Sequence, residues 1–273
     1  MRNLLKEKLR RNELALGLVH FAAGCADTID VMGQAGIDWV TIDTEHACNS
    51  IYELQGLVRA ADAAGITPIV RFMEIDRPAI QQVLDAGAGG VIVSHITTPE
   101  QAAEVVRAAK YAPIGQRGAC PTIRATGYDP EDWEEYTAAA NKEVIVNVLV
   151  EEKEGFERID EILSVPGVDV VFFGNFDLSL SLGLPGETRW DHPVLAAALQ
   201  RVVKSARARG VWVQVSLGTK FTQDPDYART VAKAGVNLIG CGSDLLLLSR
   251  ACQGIVNMKD QLGDLAGRTR KAS

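Results

Sequence analysis

Short apolar runs and longer amphipathic stretches alternate along this chain, eight of each. The short runs cover residues 15–21, 38–43, 67–72, 90–96, 144–150, 170–173, 211–216 and 237–241. They are rich in Val, Ile and Phe with little polar alternation, as parallel strands buried on both faces require. The longer stretches, 28–36, 51–64, 78–86, 99–111, 156–163, 193–209, 227–234 and 245–262, carry apolar residues at helical spacing. Gly36 suits a C-cap and Thr98 an N-cap. Residues 4–13 mix apolar and basic side chains and predict an amphipathic lid helix. Residues 112–142 break the alternation with three prolines and several glycines. That length predicts a functional loop, with a short helix near 131–140. The tail 267–273 is expected to be disordered.

Strict strand–helix alternation means a parallel sheet, and eight units in this length predict a single (β/α)8 barrel spanning 1–273. No GxGxxG follows the first strand, which argues against a dinucleotide-binding sheet. In a barrel the carboxyl ends of the strands form one rim, where chemistry is carried out.

Polar residues at those ends therefore become informative. Glu151 closes the fifth run, and Asp177 follows the sixth through Gly174-Asn175-Phe176, 26 positions later. That is about one βα unit, so both acids reach the same rim as half of a divalent-cation site, or else as two solvated loop acids. The second run ends Asp43-Thr44-Glu45-His46. His46 is a general-base candidate, with Asp43 placed to orient its ring, against the reading of a solvated loop histidine. Arg71 follows Pro68-Ile69-Val70 in a strand expected to be buried, where a guanidinium needs an anion. Either an internal acid such as Asp85 pairs with it, or it is a fork for a substrate carboxylate or enolate. The fourth run leads into Ser94-His95. No lysine ends a core strand; Lys110 and Lys142 flank the long loop, and only Lys220 follows a strand closely, so a Schiff-base mechanism is disfavoured. The Gly240-Cys241-Gly242-Ser243-Asp244 turn could hold a phosphate or merely serve a tight turn.

Net charge is -7 and no basic run with interleaved aromatics occurs, which excludes nucleic acid as an expected partner. The five cysteines are scattered with no CxxC pair, as free thiols in a reducing compartment would be. No long uncharged apolar span is present, and Met1-Arg2-Asn3-Leu4-Leu5-Lys6 runs into charge, so a cytoplasmic protein without a membrane partner is expected.

Several blocks, in order, resemble the HpcH/HpaI aldolases, class II pyruvate aldolases of the phosphoenolpyruvate/pyruvate barrel superfamily. They are Gly36-Ile37-Asp38-Trp39 through Asp43-Thr44-Glu45-His46, Pro68-Ile69-Val70-Arg71, Leu84-Asp85-Ala86-Gly87-Ala88, Tyr111-Ala112-Pro113-Ile114-Gly115-Gln116-Arg117-Gly118, Pro166-Gly167-Val168-Asp169 and Asp177-Leu178-Ser179. The resemblance implies Mg²⁺, Mn²⁺ or Co²⁺ held by Glu151 and Asp177. It assigns Arg71 to the pyruvyl oxygen, His46 to proton transfer, and Asp43 and Asp85 to supporting that histidine. Backbone N–H groups around Gly174, Asn175, Phe176 and Asp177 would take the substrate carboxylate. It implies cleavage or formation of a C–C bond between a 2-oxo acid enolate and an aldehyde. The related expectations are a decarboxylase or C–C ligase using the same enolate, and a silent metabolite-binding barrel. A hexamer, a trimer of dimers with an exchanged C-terminal helix, is also implied. The chain departs from the family pattern at Leu149, where Gln is usual, at Asn175-Phe176 in place of Pro-x, and at Ser94 in place of Pro. The Leu149 and Phe176 departures predict a drier pocket for a bulkier, more apolar aldehyde portion.

Overall fold

A computed structural model describes residues 2–184 and 186–270. Eight parallel strands close into a barrel in sequence order, β1 (Ala15–His20), β2 (Trp39–Asp43), β3 (Thr67–Phe72), β4 (Gly90–Val93), β5 (Ile145–Val150), β6 (Val170–Phe173), β7 (Trp212–Ser216) and β8 (Leu238–Ser243). The seam pairs β1 with β8. Among the described residues no helix is long and apolar enough to cross a membrane.

Side-chain direction in each strand follows the two-residue period. In β5, Val146, Val148 and Val150 pack outward against the helices, while Ile145 and Leu149 point into the barrel. Asn147 points inward too and donates to Gln214 Oε1 at 2.7 Å. Continuing that inward column past the strand end gives Glu151. The same parity puts Trp39, Thr41 and Asp43 of β2, and Ile69 and Arg71 of β3, on the inner face. Gly17 is obligatory here, because a Cβ would meet the Trp39 ring at 2.1 Å.

The N-terminal helix Leu4–Arg10 closes the amino end of the barrel, opposite the rim. Leu5 and Leu9 are buried against Trp39, Ile69, Ile92 and Ile145, and the Leu5 N–H donates to Thr67 Oγ1 at the start of β3. The segment expected to be one helix over 156–163 is two short ones, Lys153–Glu157 and Ile159–Ile162, broken at Arg158. The helix of the long loop runs Trp133–Glu143, and the loop adds a 3₁₀ turn at Arg124–Thr126. Two short rim helices, Asn175–Ser181 and Lys220–Gln223, were not foreseen. The C-terminal helix runs Asp244–Arg270, eight residues past its expected end. Of the tail expected over 267–273, residues 271–273 lie outside the described residues.

Asp244 fastens this helix to the seam. Its carboxylate accepts the N–H groups of Phe21 and Ala22 beyond β1 and of Leu245, at 2.9, 3.2 and 2.8 Å. His20 Nδ1 lies 2.9 Å from Oδ2. Burial alone would push the Asp244 carboxyl up, but His20 and the three backbone donors outweigh it and hold it down at about 2, below the ordinary 3.8. A carboxyl depressed on folding stabilises the protein above its unfolded pKa and loses that contribution as pH falls through the folded one. Asp244→Asn should therefore cost roughly 2 kcal/mol at neutral pH. The deficit should shrink below about pH 3.8 and vanish near about pH 2. Denaturant midpoints that coincide at pH 7 would refute the clamp.

Candidate active site at the carboxyl rim

Asp43 is the fixed point of the rim. It ends β2, is fully buried, and stands in register with Arg71 on β3. Its Oδ1 accepts the N–H groups of Glu45, His46 and Ala47 at 3.0, 2.6 and 3.2 Å, folding the next loop back over the strand end. Its Oδ2 pairs with the Arg71 guanidinium. Asp43 therefore holds the His46 backbone and not its ring, which corrects the role expected from the sequence. The acid nearest the ring is Glu45, with His46 Nε2 3.8 Å from Glu45 Oε1 and the ring 62% exposed at the mouth. Glu45 is buried. Its Oε2 accepts from Ser94 Oγ at 2.7 Å and lies 3.3 Å from Arg71 Nη1. Ser94, where the family pattern has Pro, thus donates to a rim acid.

Asp85 is the one expected site residue that this chain does not bring to the rim. It ends the helix Arg77–Asp85, and its Oδ1 accepts from Arg117 Nη2 at 2.6 Å. Arg117 is buried and lies over the Tyr111 ring. Within the chain Asp85 pairs with neither Arg71 nor His46. The internal acids on Arg71 are Asp43 and Glu45.

Glu151 leaves β5 facing inward with its side chain only 8% exposed. Its Oε1 is buried without a hydrogen-bond partner. Gly174 makes room for it, since a Cβ there would lie 2.9 Å from Glu151 Cβ and Oε2. Burial first, and then the charge of Asp177, push the Glu151 carboxyl up to about 7. Asp177 is exposed and sits in the first turn of the helix Asn175–Ser181, not at a strand end. Asn175 is buried, and its Nδ2 donates to Thr188 O at 2.6 Å. Phe176 is 62% exposed, so its ring stands at the mouth rather than inside.

His95, Glu45 and Glu152 were not among the residues singled out for the site. His95 follows β4 with φ 59, an uncommon conformation for a residue with a Cβ. Its Nδ1 lies 2.7 Å from Glu152 Oε1 and 3.5 Å from Glu151 Oε1, and its Nε2 3.3 Å from Glu45 Oε1. Burial pulls its imidazole down, but the Glu152 hydrogen bond and the charges of Glu151, Glu152 and Glu45 together raise it. The signal in the sequence was the Ser94-His95 pair at a strand end, together with an acid directly before His46.

A cavity of about 300 Å³ opens at the carboxyl rim. Arg71, His46, Glu151 and Asp177 line its polar side, and Trp39, Leu149 and Phe172 contribute apolar wall. Among the described residues none that lines it is a lysine. Burial drops the Lys110 amine to about 8, but its Nζ donates to Val144 O at the amino end of the barrel, away from the rim. Lys220 is exposed.

A sequence profile described as HpcH/HpaI aldolase/citrate lyase matches residues 18–251. The 2-keto-3-deoxy-L-rhamnonate aldolase of Escherichia coli (strain K12) is 34% identical over 250 residues, 91% of this chain and 90% of its own. The crystal structure of an HpcH/HpaI aldolase from Desulfitobacterium hafniense DCB-2 superposes with a TM-score of 0.86 at 31% identity, covering 94% of this chain and 97% of that one. The citrate synthase SbnG superposes at 0.84 with 30% identity, over 96% and 100% of the two chains.

Proposed function

The chain belongs to the HpcH/HpaI aldolase/citrate lyase family, and from that premise we propose a divalent-metal-dependent aldolase that cleaves a 4-hydroxy-2-oxo acid into pyruvate and an aldehyde, or joins the two. The observation that carries the reading is a buried carboxylate oxygen on Glu151, without a hydrogen-bond partner, sharing one cavity with Arg71. A carboxylate desolvated beside a second acid is an unfavourable arrangement that a cation would relieve. Glu151 and Asp177 would hold it, as Mg²⁺, Mn²⁺ or Co²⁺. Bound there, the cation supplies Lewis acidity toward the keto oxygen.

The chain's own groups do the rest. Asp43 and Glu45 orient the Arg71 guanidinium, whose positive charge stabilises the enolate oxygen as it develops. Backbone N–H groups of Gly174, Asn175, Phe176 and Asp177 receive the substrate carboxylate. His46, at the mouth, takes the proton from the 4-hydroxyl while the C3–C4 bond breaks and its electron pair enters the enolate. Protonation at C3 completes pyruvate. In the joining direction the same proton returns to the new hydroxyl.

EDTA should abolish activity, and added Mg²⁺, Mn²⁺ or Co²⁺ should restore it. Borohydride with pyruvate should trap no adduct. An EDTA-resistant enzyme trapped on a lysine would overturn the reading.

The apolar wall favours a larger or more apolar aldehyde portion than a sugar acid carries. Leu149 is buried and faces the cavity. Leu149→Gln adds a donor that a bound oxo acid can use. The Michaelis constant for pyruvate should fall several-fold, with a matching loss of preference for apolar aldehydes, because a neutral hydrogen bond contributes about 1 kcal/mol. Steady-state kinetics unchanged on both counts would make Leu149 core packing alone.

The assembly we propose is a hexamer, a trimer of dimers exchanging the C-terminal helix. Exposed Leu245, Leu248, Ile255, Met258 and Leu262 on that helix support it; a monomeric native mass would refute it.

A further inference from the structure

We propose that Glu45, His95 and Glu151 form a cation site with a nitrogen donor, adjoining Asp177 and sharing Glu151, and that it selects Co²⁺ or Zn²⁺ over Mg²⁺. The inference rests on the lyase reading only in taking Glu151 as a metal ligand.

One donor atom from each of the three residues lies within 4.8 Å of the other two, close enough to surround one ion. Acids alone would not make a site. Two further observations point to a ligand. Glu151 Oε1 is buried with no hydrogen-bond partner, on a side chain more than nine-tenths buried. An imidazole also enters the cluster, oriented from behind. Glu152 Oε1 lies 2.7 Å from His95 Nδ1, which also lies 3.5 Å from Glu151 Oε1; a neutral ring with its proton held on Nδ1 by these acids has its lone pair on Nε2. Nε2 faces Glu45 Oε1 at 3.3 Å. A carboxylate on one ring nitrogen with the other left for a metal is the usual arrangement of histidine ligands. The imidazole remains 44% exposed, so an ion can reach it.

The backbone agrees. His95 sits at φ 59, a left-handed conformation that a side chain with a Cβ disfavours. Such outliers concentrate at functional sites. The ring stands between Glu45 and Glu152.

The donor set decides the metal. Mg²⁺ prefers oxygen ligands and keeps its waters, whereas imidazole suits the later first-row cations. Two carboxylates and one imidazole place this cluster with the latter.

The full-length protein, stripped of metal, is titrated calorimetrically with Co²⁺ and with Mg²⁺, and is loaded with Mn²⁺ for electron spin-echo spectroscopy. The wild-type Mn²⁺ spectrum should carry modulation from a directly bound ¹⁴N. His95→Gly relieves the backbone strain, so loss of fold does not confound it. It should abolish that modulation and weaken Co²⁺ binding roughly tenfold or more, with Mg²⁺ within twofold of wild type. Free imidazole should restore Co²⁺ affinity to the glycine variant. Glu152→Gln should weaken Co²⁺ in the same direction, by roughly tenfold. Absence of ¹⁴N modulation in the wild type, or Co²⁺ affinity unchanged in His95→Gly, overturns the site and makes His95 a counter-charge for three acids. The two readings fail separately. An EDTA-sensitive aldolase without ¹⁴N modulation loses this site and keeps the lyase. A protein with modulation and no lyase activity does the reverse.

Discussion

Glu151→Gln is expected to lower kcat/KM by roughly 10³-fold while making the cation-free protein more stable. Gln matches Glu in size, so the contact with Gly174 survives and the rim keeps its shape. The negative charge does not survive, and cation binding goes with it, removing electrostatic stabilisation of the developing enolate, a contribution typically of ~10²–10³. Stability should move the other way. Burial and Asp177 raise this carboxyl from 4.5 to about 7 in the folded chain. A raised acid pKa penalises the fold: the penalty is absent below about pH 4.5, grows through the interval and is complete above about pH 7. Removing the charge should therefore stabilise the cation-free protein by about 3 kcal/mol at pH 8, and not at pH 4. Activity against pyruvate-derived substrates and a pair of denaturation curves check both arms. Near-native turnover would remove Glu151 from the site.

Arg71→Lys should cost ~10²-fold in kcat/KM, as loss of one preorganised donor typically does. The guanidinium engages Asp43 on one side, approaches Glu45 on the other, and still lines the cavity. A lysine ammonium is one compact charge and cannot span the three. It would settle on Asp43, which is fully buried and costly to leave unpaired, and so withdraw from the substrate. Rate should fall with little loss of melting temperature. Turnover near the native value would mean that Arg71 only balances internal acids.

The barrel was legible because strands buried on both faces cannot hide their composition. Boundaries moved by a residue or two at most strands, where frayed ends carry little apolar signal. The short rim helices were missed because one or two turns carry too little periodicity to detect. The site was legible where a charged residue interrupts an apolar run, as with Arg71 and Glu151. It was not legible where through-space pairing decides the role. Asp43 and Asp85 look alike as sequence, yet one holds a loop and a guanidinium while the other is taken by Arg117. His95 was placed at a strand end but given no role, because its importance lies in a left-handed turn and in acids from two other segments, none of which has a sequence period.

The seam between β1 and β8 also sets when this protein can become itself. Ala15 pairs with Leu238, so 238 − 15 = 223 further residues must be made after Ala15 before the pair can form. At roughly 5–20 residues per second on the ribosome, β1 waits on the order of 10–45 s for its second neighbour. Until then the nascent sheet has two open edges, the form most prone to pairing with other chains. Asp244, the residue after the last strand, then ties Phe21 and Ala22 to the new helix. Closure and fastening arrive together, within seven residues of one another.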